Sequence, residues 1–193
     1  KRTEWPSLKI NYDKYEFEHA SKQTFLQLTM QGPSPAEEED LSFVNDVFIN
    51  GYGSSSNSLL FNRIRQELGL CYAVSAYEHG FGDNNSTNVY TMLDSKNADL
   101  AAEEAMKLLK QVQQEGFDQE TLEIAKKNSS FILSNKVITP AGFASLCFDR
   151  FFTHGLISFE DVKTAMDSVT NESIMEYARW VEQQGVKWIR MNG

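Results

Sequence analysis

The sequence is poor in the residues that hold metals or cross-link a chain. Its 193 residues include three histidines, His19, His79 and His154, far apart in sequence, and two cysteines, Cys71 and Cys147. It contains no C-x-x-C, H-E-x-x-H or H-x-x-E-H, and a catalytic zinc needs three protein ligands, commonly paired in one of those ways on a helix. The chain is therefore expected to hold no metal of its own. It has no G-x-S-x-G elbow, and none of the histidines has an obvious carboxylate partner at fixed spacing, which argues against a serine hydrolase. His79 reads as exposed near a hairpin, and His154 as a helix-end residue complementing the dipole. Neither G-x-x-x-x-G-K-[ST] nor G-x-G-x-x-G is present, so a nucleotide loop is excluded on pattern. Cys71 and Cys147 both lie in apolar runs and are expected to be buried hydrophobes. Long apolar stretches are missing too: nothing approaches the ~20 residues of a membrane span. No signal peptide is visible. The opening Lys1, Arg2, Thr3 reads as a trimmed segment and leaves the compartment open between periplasm, cytoplasm and organelle matrix.

What is present describes a folded domain. Apolar residues make up 41% and charged residues 23%, outside the range of a disordered chain. Eighteen Lys and Arg against 27 Asp and Glu leave a net charge of −9, and nucleic-acid binders instead carry clustered excess cations. No composition shift divides the chain. We expect a single domain over 1–193, with 1–10 as a linker.

Strand alternation is read at Tyr15–His19 and at Thr24–Met30. The acidic run Glu37–Asp40 suits a helix N-terminus, and Leu41, Val44, Val47 and Phe48 recur at helical spacing behind it. Gly51–Ser56 interrupts that helix as a polar connection. A second helix carries Leu59, Leu60, Ile64 and Leu68 and stops at Gly69. Two β segments, Leu70–Tyr77 and Asn88–Leu93, flank the hairpin chemistry of Gly80–Asn85. The next helices are marked by a stripe at Ala98, Ala101, Ala105, Leu108 and Val112, and by Asp118 as an N-cap before Leu122, Ala125 and Phe131–Ile132. Pro140 then sits at a first helical position before Phe143, Leu146, Phe148 and Phe151. Ser158 and Thr170 cap two more helices, and Val186–Met191 closes as a strand. Grouped hairpins and helices, without βαβ alternation, predict an α+β fold: an antiparallel sheet of about five strands with helices on one face.

The stretch Arg65-Gln-Glu-Leu-Gly-Leu-Cys-Tyr72 offers chemistry. Arg65 falls in the last turn of its helix and Tyr72 opens the next strand, a path that brings guanidinium and phenol to one end of the sheet. A phenol is a donor able to stabilise a developing oxyanion, and arginine adds a permanent cation with a fork of donors.

Gly51–Ala76, G-Y-G-S-S-S-N-S-L-L-F-N-R-I-R-Q-E-L-G-L-C-Y-A-V-S-A, resembles the second-half signature of the pitrilysin/insulinase family of zinc metallopeptidases. Ile64, Arg65, Glu67, Gly69, Leu70, Tyr72 and Val74 fall in register with it. Lys22-Gln23, Gly32-Pro33 and a helical second half ending in a short strand extend the likeness across almost the whole chain. The resemblance implies an inverzincin half-type domain, the metal-free "inactive" half closest to the processing-peptidase branch. It implies as partner a zinc-bearing N-terminal half or paired subunit, with zinc on that half and none in this chain, and a peptide as substrate. In that setting Arg65 and Tyr72 would assist catalysis, binding the scissile carbonyl and stabilising the oxyanion. Gly51, Gly53 and Ser54 correspond to the glycine-rich segment linked to substrate recognition, although the segment is short here and also reads as a structural turn. Asn57-Ser58-Leu59-Leu60 replaces the usual Ser-Arg-Leu, with Arg63 as the nearby substitute for the missing cation. The competing reading, from another class, is a structural or assembly module of the same fold, as in the core subunits of respiratory complexes.

Overall fold

The computed structural model describes residues 13–18, 20–34, 39–81, 84–153 and 159–193. The expected linker at 1–10, His19, His154 and the Ser158 cap lie outside the described residues.

Two strands come first, β1 (Lys14–Glu18) and β2 (Thr24–Gly32). In β2, Leu26, Leu28 and Met30 are buried while Phe25, Gln27 and Gln31 alternate onto the opposite, more open face. β3 (Cys71–Phe81) and β4 (Asn84–Leu93) form the predicted hairpin, and β5 (Val186–Asn192) ends the fold. The sheet order is β1-β5-β2-β4-β3. β2 pairs antiparallel with β4 and with β5, and β3 antiparallel with β4. The outer pair, β1 with β5, is parallel, which is open to two strands this far apart in sequence because a long crossover separates them. The hairpin strands outrun the apolar segments seen in the sequence. Gly80 pairs with Asn85 at its tip, and there Glu78 accepts hydrogen bonds from the Asn45 and Asn85 amides, each at 3.0 Å.

Helices α1 (Glu39–Ile49), α2 (Ala98–Glu115), α3 (Gln119–Ile138), α4 (Pro140–Thr153), α5 (Phe159–Asp167) and α6 (Asn171–Gln184) follow the predicted order. The sequence-read caps are in place: the Asp118 carboxylate accepts from the Thr121 N–H at 2.7 Å, and Thr170 and Ser173 form a reciprocal capping box. α1, α2 and α6 cover one face of the sheet. Phe48 lies at their centre, stacked on Tyr52 and Phe117 at 5.0 and 6.2 Å between ring centroids, with Tyr177 edge-on at 5.1 Å. The buried Tyr52 hydroxyl donates to the Ala105 carbonyl at 2.7 Å, and burial pushes its phenol well above the ordinary value. Each such aromatic adds about 1.5–3 kcal/mol by leaving water. Among these rings sits a polar knot in which the Asn45 carbonyl oxygen accepts from Tyr177 at 2.6 Å and from Thr87 at 2.8 Å, tying α1, α6 and β4.

Three expectations change. In α2 the buried stripe runs through Leu109 rather than Leu108. In α3 it runs Leu122, Ala125, Ser129, Leu133, at helical spacing, which leaves Phe131 and Ile132 off the stripe and exposed. Leu133 joins Phe43, Val162 and Met166 in a small second core. In α4, which rests on the end of α3, Phe143 and Cys147 are exposed rather than buried, and Cys71 is half-buried. Both cysteines are free thiols.

Candidate functional site

The Gly–Ser segment is a helical turn. α1 continues without a break into a single π-helical turn, Asn50–Ser54, with Asn50, Gly51, Tyr52 and Gly53 all buried. A Cβ on Gly51 would stand 2.5 Å from the Phe117 ring, and one on Gly53 would stand 2.7 Å from the Ala76 Cβ. Both glycines are therefore required by close packing, and they face protein. Ser54 is the exposed member of the three.

A second π-helical stretch, Phe61–Glu67, carries the other candidates. The buried Ser58 hydroxyl accepts from the Phe61 N–H at 3.3 Å and starts it, while Leu60 and Ile64 anchor its inner face. The wide turn ends where the Leu68 N–H reaches the Arg63 carbonyl at 3.1 Å and the Leu70 N–H the Ile64 carbonyl at 3.0 Å. Gly69, at φ 59°, makes the left-handed exit that lets β3 begin.

β3 then bulges. Cys71 pairs with Leu93 but Val74 with Thr91, so Tyr72 and Ala73 occupy one extra position. The Thr91 hydroxyl closes the bulge by donating to the Ala73 carbonyl at 2.7 Å. Such an irregularity re-aims a side chain, and Tyr72 is 83% exposed.

Arg63 and Arg65 leave the same turn toward different partners. Arg63 Nε donates to Glu104 Oε2 at 2.6 Å and its Nη1 to Glu67 Oε2 at 2.7 Å, with Lys107 on the other Glu104 oxygen at 3.2 Å. The hydrogen bonds from Arg63 and then Lys107 hold the Glu104 carboxyl below its usual range, and Glu104 and Glu67 raise Arg63 in return. Arg63, the nearby substitute for the cation missing from Asn57–Leu60, thus forms a local ion-pair cluster. Arg65 instead stacks on rings: its guanidinium carbon lies 4.6 Å from the Phe61 centroid and 5.2 Å from that of Tyr72. Among the described residues no carboxylate or hydrogen-bond acceptor engages it.

The structure therefore brings Arg65 and Tyr72 together at the rim where β3 starts. Gly51 and Gly53 lie in the core. The sequence reading missed Phe61, whose signal was its i,i+4 spacing from Arg65, and Thr91, which nothing in the sequence marks. His79 is exposed on β3, as expected. Among the described residues no group of three or more His, Cys, Asp or Glu is placed to hold a metal ion, and no helix is long and apolar enough to cross a membrane.

Fold relatives share this sheet-and-helix layer. The chain superposes on the "peptidase M16 inactive domain" of Pseudomonas fluorescens with a TM-score of 0.83 at 14% identity, covering 100% of this chain and 45% of that one. It matches a protease from Helicobacter pylori with a TM-score of 0.83 at 12% identity, covering 94% and 44%. A chain of complex III2 from Candida albicans gives 0.78 at 12% identity, covering 94% and 46%. The chain thus spans less than half the length of these relatives. No curated protein matches it by sequence. The architecture is an α+β layer, a five-stranded sheet with helices, that matches the fold of M16 inactive-domain structures. Residues 4–129 match the family model described as the peptidase M16 inactive domain, and the chain belongs to that family.

Proposed function

We propose that this chain is the non-catalytic half of a zinc metallopeptidase, closing a peptide chamber against a zinc-bearing half and contributing Arg65 and Tyr72 to the chemistry there. The observation that carries the reading is the rim pair itself: a cation and a phenol side by side, with no hydrogen-bond acceptor on Arg65 among the described residues. On the partner half, zinc would supply the activated water and Lewis acidity of a metallopeptidase site. From this side, the Arg65 fork binds the carbonyl of the scissile peptide and keeps it oriented. The Tyr72 hydroxyl donates to the same oxygen as negative charge develops on it, which favours the transition state over the bound peptide.

The test assembles this chain with its zinc-bearing half and follows peptide hydrolysis. Arg65→Ala and Tyr72→Phe are each expected to lower kcat by roughly 10²-fold, the scale of losing one oxyanion donor. Unchanged turnover in both variants removes the assisting role.

The second reading, a structural module of the same fold, draws on the likeness to a chain of complex III2. The two readings separate on sequence: the adjoining gene segment or partner chain either encodes H-x-x-E-H, as the peptidase reading requires, or lacks it.

A further inference from the structure

We infer that Phe61 is the positioning residue of the rim site, holding the Arg65 guanidinium in place by its ring face so that the charge and in-plane donors stay free for the peptide. The inference rests on the assisting role proposed above, and it concerns how that role is prepared.

An arginine at a rim can be fixed in two ways, and this helix uses both two residues apart. Arg63 is fixed edge-on by the carboxylates of Glu104 and Glu67. Such pairs occupy the donors and cancel the charge. An arginine held that way braces the fold and has little left for a ligand. Arg65 lies instead over two rings, its guanidinium carbon 4.6 Å from the Phe61 centroid and 5.2 Å from that of Tyr72. Cation–π attraction acts through the face of the guanidinium and leaves the five N–H groups in its plane unoccupied.

Of the two rings, Phe61 is the one that is itself held. It is half-buried against the main core, and its N–H is tied to the Ser58 hydroxyl. Tyr72 is 83% exposed on a bulge, so its ring has little to brace it. Phe61 is also the nearer ring. It therefore sets the direction of Arg65, and Tyr72 is the second, more distant ring. Without the ring, the long arginine side chain regains its rotamers and the site must restrict them again at each turnover.

The direct test reads Arg65 in the 193-residue chain by NMR, its side-chain Nε–H signal assigned by loss in Arg65→Lys. In the wild-type protein that signal is expected to be shifted upfield by ring current and to relax as an ordered group. Phe61→Leu should return it to the position and mobility of a free arginine, while Phe61→Tyr retains both features and Tyr72→Leu retains most of the shift. Should Phe61→Leu fail to fold, Phe61→Met, unbranched and close in volume, takes its place. An unchanged Arg65 signal in the folded Leu or Met variant overturns the inference, as does full loss in Tyr72→Leu alone. In the assembled peptidase, Phe61→Leu should lower kcat on the order of tenfold with KM within about twofold, Phe61→Tyr should restore it, and Phe61→Leu should add nothing to Arg65→Ala. If Arg65→Ala leaves turnover intact, the assisting role fails while the NMR signal still decides what Phe61 does.

Discussion

A carboxylate and an aromatic ring do different things to an arginine, and the carboxylate case makes a pH prediction. Glu104 carries a folded-state pKa held low, first by Arg63 and then by Lys107. The unfolded carboxyl titrates near ~4.3. The stabilisation from this group is thus fully present above that pH and is lost as the pH falls through the lower folded value. Urea melts of the wild type and Glu104→Gln should differ clearly at pH 7 and converge towards pH 3; an equal gap at both values would show that the ionised carboxylate contributes nothing. The sequence made Arg65 and Tyr72 legible because their motif and spacing were both local. Phe61 was legible only in principle, since an apolar residue on a helix reads as core until its neighbour is seen lying over it. The cysteines misled for the same reason. Cys147 follows an apolar neighbour, but apolar neighbours do not say which way a helix turns its face.

At the level of elements, helix stops and starts were read well where the signal is a single residue with one job: Asp118, Pro140 and Thr170 open helices, and Gly69 closes one. In sequence Gly51–Ser56 reads as a polar connection that interrupts α1, a reading that glycine's low helix propensity would favour. The propensity argument lost to packing, since the widened turn lets α1 continue while its backbone presses on Phe117 and Ala76. Gly51→Ala is accordingly expected to cost about 1–3 kcal/mol in chemical denaturation, the usual range for overpacking a filled site. A variant as stable as the wild type would mean that Phe117 can yield. The α3 stripe was misplaced because a phase error of one residue turns a helix by a quarter-turn or more, and the sequence of α3 holds apolar residues in both phases (Phe131 and Ile132 beside Leu133).

At the scale of the molecule, the family assignment explains the scarce, scattered histidines: they suit an inactive domain of a zinc-peptidase family. The α+β layer followed from the order of elements, but the strand order did not, because the partner of β1 lies more than 160 residues away. Lys14 faces Trp188 and Glu18 faces Asn192, and β5 also forms one whole side of β2. A chain truncated before Val186 should therefore lose cooperative unfolding altogether, as judged by near-UV circular dichroism and urea titration. A sharp native-like transition in that truncation would show that the sheet closes without its last strand. The same arrangement bears on biosynthesis. Translation delivers β1 well before β5, its one sheet partner among the described residues, so the outer strand waits unzipped while α1 to α6 emerge. The sheet closes only once the last strand has cleared the ribosome. Closing the longest loop last makes this a slow, high-contact-order step. Until then β1 and the free side of β2 are exposed edges open to wrong partners.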